Sequence, residues 1–353
     1  VDSVSLFYEL KRLDALAPLS IYSMGFAEPA FDETVDIRSL AEQEGVPFHR
    51  VEILPDVQRQ RMRATVEALD QPFGGLATMA YGQLMTEPRK HGVKVVLEGQ
   101  GVDEILGGYN YYYGHLYADY LQHRDWVRLR EEIRRLSKNE HVKEFVAVGR
   151  RILKMCWTRR ENRYQDGSTF LRYACLRTAW VQEAEKRYVA PTFEEPFSSA
   201  LTNALYRDLR HTKLPRVLRF NDHISMSQGI ELRVPYLDHR LVEFAFCLPN
   251  RWKIERGLTK CLLREAMKGL VPDDLRLRQK RPQSSPQSVW YKTFLKNEVR
   301  TLLGSPSVRA LPMIDADAAV TAFDRFVADP KDTNSFFFWQ IINLALWYEH
   351  ASF

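Results

Sequence analysis

Lys94-Val95-Val96-Leu97-Glu98-Gly99-Gln100-Gly101-Val102-Asp103-Glu104-Ile105-Leu106-Gly107-Gly108-Tyr109 is the stretch on which the reading of this chain turns. The apolar run Val93 to Leu97 predicts a short buried strand. It stops at alternating glycines, two adjacent carboxylates follow, and Gly107-Gly108-Tyr109 closes the stretch. A strand that ends in a glycine-rich loop, with acids at the start of the next helix, is how α/β sheets build nucleotide sites at their carboxyl edge. Gly99 and Gly101 let the backbone approach a ligand closely. Asp103 and Glu104 offer oxygens of the kind that hold Mg²⁺ against phosphates. Taken alone, the same residues also make an ordinary strand-to-helix turn, its first-turn acids favoured by the helix dipole.

Working outward, residues 1–108 alternate between helix and strand signals. Val4, Phe7, Leu10, Leu13 and Leu16 recur at helical spacing. Leu19 to Met24, Phe48 to Ile53 and Val93 to Leu97 read as strands, and Phe31 to Glu44, Asp56 to Leu69 and Met79 to Lys90 as helices. Such alternation predicts an α/β class, a parallel sheet flanked by helices. From Tyr109 strand signals fade, and residues 109–353 read as a mainly helical region packed on that core. The tyrosine cluster Tyr109, Tyr111, Tyr112, Tyr113, Tyr117 and Tyr120 reads as packing between the two regions. Gln279 to Ser288, rich in Pro, Gln and Ser, reads as a loop.

A second dense stretch runs Met226-Ser227-Gln228-Gly229-Ile230-Glu231-Leu232-Arg233-Val234-Pro235-Tyr236-Leu237-Asp238-His239-Arg240, followed by Lys260-Cys261-Leu262-Leu263-Arg264. Together the two stretches resemble the synthetase domain of glutamine-dependent asparagine synthetases, over nearly the whole chain, with the basic middle matching loosely. The family pattern has Gly-Glu/Gln-Gly-x-Asp-Glu after a strand, then Gly-Gly-Tyr, then Glu-x-Arg-x-Pro-Phe/Tyr-Leu-Asp, then a Lys ahead of Leu-Arg. The resemblance implies the adenine-nucleotide α-hydrolase-like fold of the PP-loop ATPases. Val1-Asp2-Ser3 looks like the last half of the family's Ser-Gly-Gly-x-Asp-Ser pyrophosphate loop, so the expectation is a chain cut inside that loop. On that expectation a glutaminase domain precedes it, and ammonia production from glutamine lies outside this chain.

The implied reaction activates the aspartate side-chain carboxylate with ATP, releases pyrophosphate, and lets ammonia displace AMP from a β-aspartyl-adenylate. Relatives of the fold amidate polysaccharide sugars or close β-lactam and peptide rings, so another carboxylate acceptor stays open. Asp2 and Asp103 match the two Mg²⁺-associated aspartates. Ser3 matches a pyrophosphate contact, Met24 a backbone contact to adenine, and Glu98 and Gly99 the pair flanking the nucleotide. Lys260 matches a lysine that touches phosphate during adenylation. Gln100 stands where many members have glutamate; an amide orients a substrate but is no general base. Leu76 stands where some members carry a phosphate-binding arginine. Glu231, Arg233 and Asp238 read as a buried ion-pair network, and His49 and His239 as structural.

Composition bounds the rest. The 353 residues can bury a sizeable core, with 45% hydrophobic and 27% charged residues, ordinary for a globular protein. The net charge is +5, and much of the excess lies between Arg124 and Arg163, at Arg134, Arg135, Arg150, Arg151, Arg159 and Arg160. Interleaved Glu131, Glu132, Glu140, Glu144 and Glu161 make this a set of solvated helical faces rather than a nucleic-acid surface. Cys156, Cys175, Cys247 and Cys261 show neither metal spacing nor a disulfide framework, which suits a reducing, cytoplasmic setting. The apolar stretch Phe336 to Trp347 is too short to span a bilayer and reads as a core helix, so no membrane partner is expected. The expected small-molecule partners are ATP, Mg²⁺, aspartate and ammonia, and homodimerisation is left open.

Overall fold

A computed structural model describes residues 1–13, 19–136, 172–189, 191–278 and 285–351. Arg150, Arg151, Arg159, Arg160, Cys156 and most of the Gln279 to Ser288 segment lie outside them.

The chain opens with α1 (Asp2–Arg12), β1 (Ile21–Gly25), α2 (Thr34–Gln43), β2 (Phe48–Glu52), α3 (Pro55–Leu69), α4 (Leu76–Lys90), β3 (Val95–Leu97) and α5 (Val102–Leu106). The helical region holds α6 (Tyr112–Gln122), α7 (Trp126–Leu136), α8 (Thr178–Arg187), α9 (Ala200–Arg210) and α10 (Lys213–Ser227). There follow β4 (Glu231–Arg233), α11 (His239–Cys247), the hairpin β5 (Ile254–Glu255) and β6 (Leu258–Thr259), and α12 (Cys261–Ala266). The chain ends in α13 (Asp273–Arg276), α14 (Gln287–Lys292), α15 (Lys296–Leu303), α16 (Pro306–Arg309), α17 (Ala316–Ala328) and α18 (Phe336–His350).

The result is a mostly helical α/β architecture with small parallel sheets. β1 and β2 pair in parallel from Ile21–Phe48 to Gly25–Glu52, as a strand–helix–strand unit must. β3 pairs in parallel with β4, Val95 opposite Glu231 and Leu97 opposite Arg233. β4 was not legible in the sequence, because three residues flanked by a turn carry no periodicity.

The expected strand Val93 to Leu97 is corrected in length and burial. Val93 is held by a backbone bond to Pro88 at 3.0 Å, and only Val95–Leu97 is extended. Val95 and Leu97 are each 38% exposed, since among the described residues β3 has a single strand neighbour. The expected helix at Phe31 starts at Thr34, whose N–H donates to Asp32 Oδ1 at 2.8 Å. Elsewhere termini follow their residues: Pro55 opens α3, left-handed Asp70 closes it, and Asp315 caps α17 by accepting from Ala318 N.

The largest core gathers α3, α4 and α14 through α18. α18 is the expected core helix: Phe337, Phe338, Trp339, Ile341 and Ile342 are buried, and Trp339 Nε1 and Asn343 Nδ2 both donate to Phe73 O. A second core packs α1 and α5 against α11 and α12. In a third, Tyr112, Tyr113, Tyr117 and Tyr120 pack on Leu201, Leu205 and Ile254, so this core lies inside the helical region, which corrects the expected packing of the tyrosine cluster between the two regions. Among the described residues no helix is long and apolar enough to cross a membrane.

Candidate active site

The second core fixes the relative placement of α1, α5 and α12, and the polar ends of these helices meet. α1 brings Asp2 and Ser3 in its first turn, and Tyr236 donates its hydroxyl to Asp2 O at 3.1 Å. α5 brings Asp103 and Glu104 from a turn entered through Gly101, whose φ is +94°. Lys260 arrives from the β5–β6 hairpin.

That hairpin is tight, with φ of 55° at Arg256 and 72° at Gly257, the two positive values of a type I′ turn. Both turn N–H groups donate to the Glu132 carboxylate, Gly257 N at 2.8 Å from Oε2. Glu132 is 3% exposed, which corrects its placement on a solvated helix face. Its clamp replaces the water that a turn of this kind would otherwise need. At the far end of the hairpin, Lys260 N donates to Leu106 O at 3.2 Å, tying the lysine to the end of α5.

Lys260 is 3% exposed and left-handed, with φ of 57°. Its Nζ lies 2.5 Å from Asp2 Oδ2, 2.7 Å from Asp2 Oδ1 and 2.5 Å from Asp103 Oδ1. Burial by itself pushes the ammonium down, but the two carboxylates outweigh it and hold Lys260 above the ordinary lysine value. The ammonium thus stands between the two acids.

The glycines make room for this cluster. A Cβ on Gly99 would lie 2.9 Å from Asp2 Cβ and 3.2 Å from Ser3 N, so the two loops touch there. A Cβ on Gly108 would overlap Asp103 Oδ1 and Lys260 Cε. One on Gly101 would lie 2.7 Å from Leu237 Cγ. Behind the cluster, Tyr109 donates its hydroxyl to Glu104 Oε1 at 2.7 Å, and Glu104 is 1% exposed. Burial raises the Glu104 carboxyl above the usual carboxylate range, opposed by that hydrogen bond.

Asp2, Ser3, Gly99, Asp103 and Lys260 are thus brought together. Glu98 precedes Gly99 but turns toward α10, where Asn221 Nδ2 donates to its Oε2 at 3.2 Å. Gln100 is half-buried in the loop between β3 and α5. Met24 is in β1, paired with Val51 and packed against the largest core, away from the β3–β4 pair in hydrogen bonding. Leu76 is 2% exposed in that core.

Glu231, Arg233 and Asp238 form no buried network. Arg233 Nε pairs with Glu231 Oε1 at 2.8 Å, with the two side chains 60% and 55% exposed. Asp238 caps α11 and pairs with exposed Arg240. Residues 231 and 233 share the outer face of β4, which leaves Leu232 to face in. The neighbours that matter are Tyr236 and Leu237, which sit against Asp2 and Gly101. Of the two histidines, His49 stacks on Tyr22 at 4.8 Å and His239 is 78% exposed.

The arrangement suits a magnesium–phosphate ligand. Two carboxylates are the protein share that Mg²⁺ takes when substrate phosphates supply its other ligands. No group of three or more His, Cys, Asp or Glu able to hold a metal by itself occurs among the described residues. The α1 N-terminus adds N–H donors and a positive dipole end.

The chain is 26% identical over 338 residues to asparagine synthetase [glutamine-hydrolyzing] 1 of Bacillus subtilis, covering 94% of this chain and 52% of that protein. It is 28% identical over 349 residues to a putative asparagine synthetase of Mycobacterium tuberculosis, covering 95% and 51%. It is also 26% identical over 341 residues to amidase chry2 of Gibberella zeae, covering 88% and 50%. The chain spans about half the length of these curated relatives. The asparagine synthase family model matches residues 1–349, and the chain belongs to the asparagine synthase family.

Proposed function

We propose that this chain carries the ligase half of an ATP-dependent amidation that converts aspartate to asparagine. The aspartate β-carboxylate oxygen attacks the α-phosphorus of ATP, and the bond to the bridging oxygen breaks. Pyrophosphate leaves with the electron pair and β-aspartyl-adenylate forms. Ammonia attacks the acyl carbon, loses a proton to solvent or a nearby base, and AMP departs. The ammonia derives from glutamine hydrolysed by a partner domain.

The observation that carries this reading is Lys260 bridging Asp2 and Asp103 at the start of α1. Asp2 and Asp103 would hold Mg²⁺, which supplies charge neutralisation for the phosphates. Lys260 then redirects its ammonium from the carboxylates to the α-phosphate oxygens, where negative charge grows. Ser3, whose backbone nitrogen lies close to Gly99, binds the pyrophosphate end. Gln100 orients the acceptor by its amide and moves no proton. Tyr236 and Leu237 cover the loops and keep water from the adenylate. Residues 1–108 form the nucleotide core in this account and 109–353 the region that closes on it.

A second reading keeps the adenylation and changes the acceptor, supported by the fungal relatives named as amidases. The deciding experiment supplies ATP, Mg²⁺ and ammonia with aspartate or with other carboxylates, and follows AMP, pyrophosphate and amide product. Asparagine formed with one AMP per turnover is expected. Absence of aspartate-dependent pyrophosphate release, alongside release with another carboxylate, replaces the first reading with the second.

A further inference from the structure

We propose that Arg264 is the residue that positions Lys260 for adenylation, by clasping both peptide groups that flank the lysine. The inference rests on the role given to Lys260 above and adds a positioning residue to it. Lys260 has φ of 57° and ψ of 38°, a left-handed conformation that residues with a Cβ rarely adopt. It stands at the entry to α12, where Lys260 O accepts from Arg264 N at 3.0 Å. The peptide on its other side is held by the same residue, since Arg264 Nε donates to Thr259 O at 2.7 Å. The φ and ψ of a residue are the rotations that relate its two flanking peptide planes, so fixing both planes to one arginine fixes both angles. Those angles set the direction of the Cα–Cβ bond, and with it where the ammonium reaches.

Arg264 is itself locked. Its Nη1 donates to Arg276 O, and Arg276 Nη1 donates back to Arg264 O at 2.9 Å, so the two arginines grip each other's backbones across α12 and α13. Arg276 Nε donates in turn to Asp273 Oδ1 at 2.8 Å, in the first turn of α13. Both arginines are buried, Arg264 at 4% exposure and Arg276 at 6%. Among the described residues, both side-chain hydrogen bonds of Arg264 go to carbonyl oxygens. A rigid planar fork spent on two carbonyls from different elements acts as a spacer of fixed shape. Burial lowers the Arg264 guanidinium, and Cys261 and the Asp2 carboxylate work against that, so a cation at this position is also felt at the site. Arg264→Lys separates the two effects. It keeps the charge, but a single nitrogen lacks the fork that reaches Thr259 O and Arg276 O from two atoms.

The test is a double-mutant cycle on pyrophosphate release, run with the carboxylate that supports it, using Arg264→Lys, Lys260→Met and the double variant. Thermal melts check folding. Arg264→Lys should lower the rate at saturating substrates by about 100-fold, the scale of a small misplacement, and leave the KM for ATP within about threefold. In the Lys260→Met background the same change should cost less than about threefold, because the lysine that it positions is gone. Equal costs in the two backgrounds overturn the assignment and make Arg264 a general support of the fold. A parent rate in Arg264→Lys also overturns it, by showing that charge and volume suffice. Arg276→Lys weakens the clasp from its other side with Arg264 intact; it enters the same cycle if Arg264→Lys does not fold, and the same outcomes decide. The two readings fail distinguishably. A parent rate in Lys260→Met sinks the role of the lysine and the clasp with it. A large loss in Lys260→Met, beside an Arg264→Lys cost that is equal in both backgrounds, leaves the lysine its role and sinks the clasp alone.

Discussion

Gly108 lies against Asp103 so closely that a Cβ there would sit 2.7 Å from the aspartate Cγ and overlap its Oδ1. Gly108 is not left-handed, so its need is for space and not for backbone freedom. The lysine that pairs with Asp103 runs past the same carbon. A methyl group at this point must push apart the two charged groups on which the proposed reaction depends.

Gly108→Ala should therefore cost stability of the size typical for overpacking, about 1–3 kcal/mol, and reduce activity more than stability alone explains. Pyrophosphate release should fall by about 100-fold or more at a temperature where the variant is still folded. Thermal melts and a pyrophosphate assay on one preparation separate the two effects. A variant that turns over at the parent rate shows that the Asp103–Lys260 contact tolerates displacement.

Glu132 acts on Lys260 through the hairpin. Glu132→Ala leaves the Arg256 and Gly257 N–H groups without their acceptor, at a cost of about 1–3 kcal/mol. The turn should loosen, and the rate of adenylation should drop while the KM for ATP changes less. Glu132→Gln keeps acceptor oxygen for one of the two donors and should recover part of the loss. Equal behaviour of the two variants and the parent contradicts a clamping role.

Lys253 gives a pH signature. It is fully buried, its Nζ donates to Leu248 O at 2.6 Å at the end of α11, and burial lowers its ammonium to about 8. The unfolded chain holds that proton more tightly, so charged Lys253 destabilises the fold below pH 8. The penalty is relieved as pH rises from about 8 toward the ordinary lysine value of 10.5. The relief is on the order of 3 kcal/mol. Lys260 behaves oppositely: its raised value adds stability that is complete below 10.5 and is lost as pH climbs above it. Lys253→Met should abolish the gain between pH 8 and 10 in denaturant titrations, and an unchanged pH profile in that variant excludes the buried ammonium as its source.

Much of the fold was legible where segments are long and patterned. α1, α3 and α4 follow apolar repeats, and α18 is apolar on nearly every face because it is enclosed. Strand β4 was not, since Glu231-Leu232-Arg233 is too short to show alternation and its pairing with β3 spans more than a hundred residues of intervening chain. For the same reason Glu231 and Arg233 were read as buried charges, when they lie on the open face of a two-stranded sheet. At the site, Asp2, Ser3, Gly99, Asp103 and Lys260 could be chosen from motifs, but their contacts could not. Spacing does not tell that Lys260 lies between both acids, that Gly108 yields to them, or that Glu132 leaves the solvent face to hold a turn. Those follow from helices and a hairpin that meet only in three dimensions.

The central claim is that Lys260, now bridging Asp2 and Asp103, carries the charge that develops at the α-phosphate. Lys260→Met is the sharpest probe. Methionine keeps the length of the stem and the same left-handed backbone demand, so the charge is the main thing removed. The measurement is aspartate-dependent pyrophosphate release by the full-length protein at saturating ATP, Mg²⁺ and aspartate. A charge-assisted contact of this kind contributes about 2–4 kcal/mol in the transition state, so the account predicts a fall of roughly 30- to 1000-fold. A rate within about threefold of the parent would contradict it and leave the lysine a purely structural bridge.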